Sequence, residues 1–510
     1  MTKDIINLKL KKMDLSKIDH HFVNKKKFLK NEILFNHHFK NGTYRITKPG
    51  NYTLGENIIF SPNQENHGKP TDIQLKELPK GFVLGFFAAI TIECDNVILN
   101  LNTFSISQSE IHSIQQPFYS HIELANTPFI FKQGPASFPN MGNFAFNTII
   151  KNGILGLSSH HGIHGNNSEN LIIKNIEFKK FAVAAIALNG GKNILLKDLN
   201  IDNKDINIKF NSLLSHALFI KPFLSKIKEE SQESSILILN KKKNIDDIIH
   251  NLDHEINLAL NSIKNNTPYD GLFKNKSNKY DANMYGIVLN SSGIVVNDFK
   301  PLREQELIGN ENIVLENIHM KNLESDGTEI KLLSDTEFNK SNKYGIKVFK
   351  GPVGDVFNWE RCIDFNGFYK GNCLSNAQLC VALHSKIKST LNIPNFLIEW
   401  AQNDKYTIYD LIKLHNLYVI RGGDSMAHIM KGNIGLFISQ GKRIMVDSIS
   451  IDTVKNNSIS NQKKLASSYG ILMAGSKDVM ITEYSIKNIL SKNGDALDIV
   501  QKTENINIKI

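Results

Sequence analysis

The sequence predicts an all-β solenoid, a stack of short coils with an N-terminal cap and partly helical insertions. Three observations predict it. A nine-residue cassette recurs along the chain, a second short apolar segment precedes many of its copies, and asparagine or aspartate stands where each cassette must turn.

The cassette is clearest in its middle copies. NTIIKNGIL begins at Asn147, NLIIKNIEF at Asn170 and NILLKDLNI at Asn193, each 23 residues after the last. The same grammar recurs as NVILNLNTF from Asn96, GIVVNDF from Gly293, NIVLENIHM from Asn312 and DVFNWERCI from Asp355. RIMVDSISI from Arg443, DVMITEYSI from Asp478 and NINIKI from Asn505 complete the series. Self-similarity at a fixed period is the mark of a repeat architecture.

Ahead of many copies lies a glycine or alanine followed by an aliphatic: HGIHG, AAIAL, YGIVL, YGIKV, IGLFI and YGILM. Each unit thus carries two or three strands of three to five residues. So short a strand cannot bury its apolar face alone and must stack on copies of itself, about 4.8 Å away. At the sixth cassette position Asn152, Asn175 and Asn317, with Asp198 and Asp298 as substitutes, fall between two strand segments. Asn and Asp tolerate left-handed backbone, and in-register stacking would join their amides in a ladder along the axis.

This grammar resembles the right-handed parallel β-helix of the pectate-lyase-like superfamily, over roughly residues 42–510. The resemblance implies a fold more than an activity, since such coils serve polysaccharide lyases, glycoside hydrolases, tailspikes and adhesins alike. Residues 1–41, with ten lysines against four acids and a helical pattern around Phe22 to Phe39, are expected to cap the open end. Insertions are expected at about 107–146, 203–283 and 371–431. The second contains IDDIIHNLDHEINLALNSI, whose apolar spacing is helical. Such insertions commonly gather on one face and build a binding site.

Composition narrows the function. The 60 basic and 50 acidic residues give a net charge of +10, but only five basic residues are arginine, which disfavours sequence-specific nucleic-acid reading. The four cysteines form no C-x-x-C pair, so neither a disulfide framework nor a zinc ribbon is indicated, and no metal or cofactor is expected. The longest uncharged apolar run, Gly81 to Ile92, is too short to span a bilayer, and the start lacks the apolar core of a secretory signal. A soluble, cytoplasmic or particle-associated protein is expected, with oligomers open.

Candidate chemistry comes from loops. RGGDSMAH offers Asp424 as acid or base with His428 and Arg421 orienting a substrate; alternatively Gly422-Gly423 turns the chain and Arg421 is salt-bridged. His161 and His164 in HGIHG, Asp326 and Glu329 in ESDGTE, and Trp400 are candidate substrate contacts, against a reading as coil residues, solvated turn acids and core. HGIHG and Lys442-Arg443-Ile444 resemble in part the Gly-His-Gly and Arg-Ile-Lys motifs of polygalacturonase-type hydrolases. Here no paired aspartates precede His161, and the basic triplet lies far downstream. Two function classes follow: a protein that binds, or cleaves, a polysaccharide along a lateral groove, and a non-catalytic structural or attachment protein.

Overall fold

The computed structural model describes residues 30–79, 81–82, 85–116, 118–128, 145–204, 208–210, 214, 218, 235–238, 241–271, 273–275, 279, 284–290, 292–294, 306–325, 346–349, 362–365, 432–457, 466–502 and 506–508. It is mostly β, with two long parallel sheets and few helices. The long sheet of thirteen strands runs in order through Lys30–Leu34, Gly50–Leu54, Val97–Asn100, Phe146–Leu155, Glu169–Phe178, Lys192–Asp202, Asn310–Ser325, Gly441–Asn456, Lys477–Ile481 and Ile506–Ile508, with three more strands alongside. The second sheet of nine runs through Tyr44–Ile46, Ala88–Ile92, Ser120–Glu123, His161–Asn166, Ala184–Asn189, Tyr285–Asn290, Asn433–Ser439, Ser468–Ala474 and Ala496–Lys502. The chain visits the two sheets in turn and advances along each, so strands adjacent in a sheet are never adjacent in sequence.

Register follows the repeat. Ile149 pairs with Ile172 and Ile172 with Leu195, one period apart each time. Leu195 then pairs with Val314 and Val314 with Met445, so the phase is kept across these longer intervals of sequence. Like residues therefore stack on like. Ile150, Ile173, Leu196, Leu315, Val446 and Ile481 form one buried row of the long sheet. Ile90, Ile122, Ile163, Ile186, Ile287, Leu436 and Ile471 face them from the second sheet as part of one continuous core. Each such side chain contributes roughly 1.5–3 kcal/mol on burial, which no single three-residue strand could gather alone.

The asparagine expectation holds at the described positions and extends, while Asp298 lies outside the described residues. The sixth-position residues Asn152, Asn175, Asp198 and Asn317 have φ of 62°, 55°, 52° and 54°. The first cassette position does the same: Asn147, Asn170, Asn193, Asn312, Arg443 and Asp478 have φ between 50° and 56°. Both positions build side-chain ladders. Asn170 donates to Asn147 at 2.9 Å, Asn193 to Asn170 at 3.0 Å and Asn312 to Asn193 at 3.0 Å, and Arg443 ends the row on Asn312. In the second row Asn175 donates to Asn152 at 3.1 Å and Asn317 to Asp198 at 2.7 Å.

The glycine of the upstream segment also has a cause. On the second sheet Ala185, Ile186 and Leu188 all join the central core, whereas Ala184 and Ala187 belong to a separate cluster on the other side. Two consecutive inward residues crowd the backbone. A Cβ on Gly162 would stand 2.4 Å from the Ala185 carbonyl oxygen, and one on Gly470 2.5 Å from that of Asp498.

Several expectations need correction. Ser292–Ile294, in the cassette from Gly293, pairs antiparallel with Glu306–Ile308 and is not a rung of the long sheet. Ile346–Phe349, in YGIKV, likewise forms a two-stranded antiparallel pair with Cys362–Phe365. The long sheet starts at Lys30–Leu34, inside the segment expected to be a cap, and Asn36–Phe39 is one short 3-10 turn; residues 1–29 lie outside the described ones. Within the expected 107–146 insertion, Ser120–Glu123 is a full rung of the second sheet. The helix expected from Ile245 is present as Ile245–Lys264, its first turn capped by Asn244 Oδ1 accepting from Asp246 N at 2.7 Å. The 371–431 insertion lies outside the described residues. Among the described residues, no helix is long and apolar enough to cross a membrane.

Candidate functional site

Among the described residues, a cluster of ionisable groups lies on the outer side of the second sheet, over its first four rungs. Register places Arg45, Thr91, Glu123 and His164 in one row on successive strands. The next rung continues that row with Ala187. Ala187 shares an apolar cluster with Val288, Phe437 and Leu472, so the polar stretch ends abruptly where an apolar one begins.

At one end, Arg45 grips Glu93 with two parallel bonds, Nε to Oε1 at 2.7 Å and Nη2 to Oε2 at 2.6 Å. Thr91 Oγ1 donates to the same carboxylate at 2.7 Å. The bidentate bond to Glu93 pushes the Arg45 guanidinium above its usual range, so the cation is permanent.

At the other end, both Glu123 oxygens lie 2.8 Å from His164 Nδ1. The Glu123 side chain is only 2% exposed and that of His164 10%. Burial pushes the Glu123 carboxyl up, against the pull of His164 and of the Ser120 hydroxyl, which donates to Oε2 at 3.3 Å. Asn189 Nδ2 stands 3.3 Å from His164 Nε2 and donates to Asn166 Oδ1 at 2.8 Å; Asn166 Nδ2 in turn donates to the Pro128 carbonyl at 3.1 Å. An amide N–H facing Nε2 requires a lone pair there, which assigns the imidazole proton to Nδ1, toward Glu123.

Two further histidines adjoin. The rings of His161 and His164 stack at 5.3 Å with 13° between planes, and His160 Nδ1 lies 3.1 Å from His161 Nδ1. Chemically, a carboxylate that fixes an imidazole through Nδ1 prepares Nε2 to move a proton. Among the described residues, no group of three or more His, Cys, Asp or Glu side chains is arranged to hold a metal ion.

Of the residues singled out from sequence, the structure brings His161 and His164 together in this cluster. Arg421, Asp424, His428, Asp326, Glu329 and Trp400 lie outside the described residues. Arg443, the centre of the basic triplet, sits on the long sheet, paired with Glu311 and Asn312 as the end of the amide ladder. Sequence reasoning missed Arg45, Glu93 and Glu123. The available signal was a lone glutamate closing each of two short apolar segments, AAITIE and SHIE.

The chain matches no protein-family model and no curated protein. Among solved structures it is similar to the Streptococcus pneumoniae surface protein and adhesin PfbA, with 9% identity, a TM-score of 0.29, and coverage of 90% of this chain and 79% of that one. A likeness that slight bears on neither substrate nor role.

Proposed function

We propose that the two alternating sheets are walls of a right-handed parallel β-helix, and that the protein is directed at a polysaccharide through an acid–base site on its lateral face. The handedness rests on the strong preference of parallel strand connections for right-handed crossovers. One observation carries the functional reading: the row Arg45, Thr91, Glu123, His164, with Glu93 held beside it, puts two carboxyls, a fixed cation and an oriented imidazole on successive rungs. At about 4.8 Å per rung, Arg45 lies about 10 Å from Glu123 along the sheet, so the fixed cation and the oriented imidazole can both face one extended sugar chain. In this reading His164 Nε2 exchanges the proton and Glu123 positions the ring.

A second reading is a non-catalytic attachment or structural rod. It is favoured by the pairing of these groups with one another, Glu123 and Glu93 being 2% and 1% exposed at their side chains.

A glycan array, followed by reducing-end and unsaturated-product assays on every glycan that binds, tests both. Turnover lost in His164→Gln and kept in Asp424→Ala supports the acid–base site. Binding without turnover supports the rod, and no binding to any glycan ends the polysaccharide reading.

A further inference from the structure

The imidazole of His164 is held through uncharged groups as well as by Glu123. His164 faces Ala187 on the next rung, and Asn189, two residues further along that strand, stands diagonally across from it. Asn166 and Asn189 are themselves register partners, at the ends of HGIHGN and AAIALN. Pro128, Asn166, Asn189 and His164 form one hydrogen-bonded file, with successive links of 3.1, 2.8 and 3.3 Å.

The file runs in one direction only. The Pro128 carbonyl can only accept, so the Asn166 atom facing it is the NH2, and Asn166 Oδ1 faces Asn189. Asn189 must then turn its NH2 to Asn166 and, with the second hydrogen, to His164 Nε2. That nitrogen accepts, so the imidazole proton sits on Nδ1. It meets Glu123, both of whose oxygens lie 2.8 Å away, as an acceptor, which is the carboxylate form. Turning Asn166 over would set oxygen against oxygen at Pro128, and turning Asn189 over would do the same between the two asparagines.

We propose that the Pro128 carbonyl, acting through Asn166 and Asn189, fixes the buried pair with Glu123 ionised, one proton on His164 Nδ1 and none on Nε2. Asn166 and Asn189 are thus positioning residues. The consequence rests on the acid–base reading of the site: its first move is to take a proton, and it gives one only afterwards. The link at Nε2 is the longest of the file, so a sugar O–H replaces the Asn189 N–H there like for like. The proton then passes to Nε2, the bonding pair stays on the sugar oxygen, and the imidazolium lies against the Glu123 carboxylate. The ring is also faced by His161, stacked at 5.3 Å, with His160 behind it, and the Arg45–Glu93 pair lies beyond Thr91 along the row.

Nitrogen NMR of the full chain, isotopically labelled at histidine and with His164→Gln to identify the His164 signals, tests this at about pH 8, where an ordinary imidazole is uncharged. The expected His164 signature is a protonated Nδ1 and a bare Nε2. Asn189→Asp, which sets a carboxylate at Nε2, should show both nitrogens protonated. Asn166→Asp still accepts from Asn189 and should keep the parent signature. A proton on Nε2 in the parent, or a bare Nε2 in Asn189→Asp, would overturn the proposal, and the parent spectrum decides even where a variant fails to fold. No glycan is needed for the measurement. The expected signature without turnover on any glycan would therefore end only the acid–base reading, and turnover by a resting protein protonated at Nε2 would end only this one.

Discussion

Asn170 donates its side-chain amide to Asn147 Oδ1 at 2.9 Å, although 23 residues separate the two in sequence. Both residues have left-handed backbone, with φ of 55° and 50°. One side chain therefore serves two ends: it tolerates the left-handed turn in its own strand and ties that strand to its parallel neighbour in the long sheet.

Replacing Asn170 separates these roles. Asn170→Ala loses the left-handed tolerance, worth about 1–2 kcal/mol, and its ladder bonds, worth about 1 kcal/mol each. Asn170→Gly keeps the backbone freedom and loses only the bonds. Urea unfolding should rank the parent first, the glycine variant second and the alanine variant last; an alanine variant at least as stable as the glycine one would remove the backbone argument.

Gly162 should resist any side chain. A Cβ there would stand 2.4 Å from the Ala185 carbonyl oxygen and 2.7 Å from the Phe178 ring. Gly162→Val should cost about 3 kcal/mol through overpacking, seen as a lowered denaturation midpoint or loss of soluble protein. Ala185→Gly, one rung on, should cost no more than about 1 kcal/mol.

Acid should destabilise the fold through its core histidines. Burial pushes His112 and His121 down to about 3, against 6.5 for an ordinary imidazole. Above pH 6.5 neither folded nor unfolded chain binds the protons, so these residues leave stability unchanged. As pH falls from 6.5 toward 3, only the unfolded chain takes them up, and stability is lost by up to about 1.4 kcal/mol per pH unit for each histidine. Glu123, pushed upward, has the opposite sign: its contribution is lost as pH rises through its titration. Melting temperature followed from about pH 8 to about pH 4 should fall below pH 6.5, less steeply in His121→Asn; a flat profile would contradict the assignment.

The Glu123–His164 pair should behave as a coupled unit. Removing one partner leaves the other buried with its hydrogen bonds broken, so Glu123→Ala should cost about 3 kcal/mol. Glu123→Leu combined with His164→Leu should cost clearly less than the two single changes together. A double-mutant cycle in denaturant reads the difference, and simple additivity would mean that the 2.8 Å contact carries no coupling.

The sequence by itself determined the phase of the long sheet. Asn147, Asn170 and Asn193 recur at one period because a left-handed turn and a strand's inward face are local demands, met by residue type within one cassette. Cassettes that matched the pattern but joined antiparallel pairs, such as the one from Gly293, show that local grammar cannot say which strand finds which neighbour. Only the tertiary structure decided the site. Arg45, Glu123 and His164 share a row although the loops between them are of unequal length, so no period in the sequence connects them. Parallel strands keep their register here across connections of unequal length. What touches across a rung therefore depends on how the chain is wound, and the spacing of those residues does not reveal it.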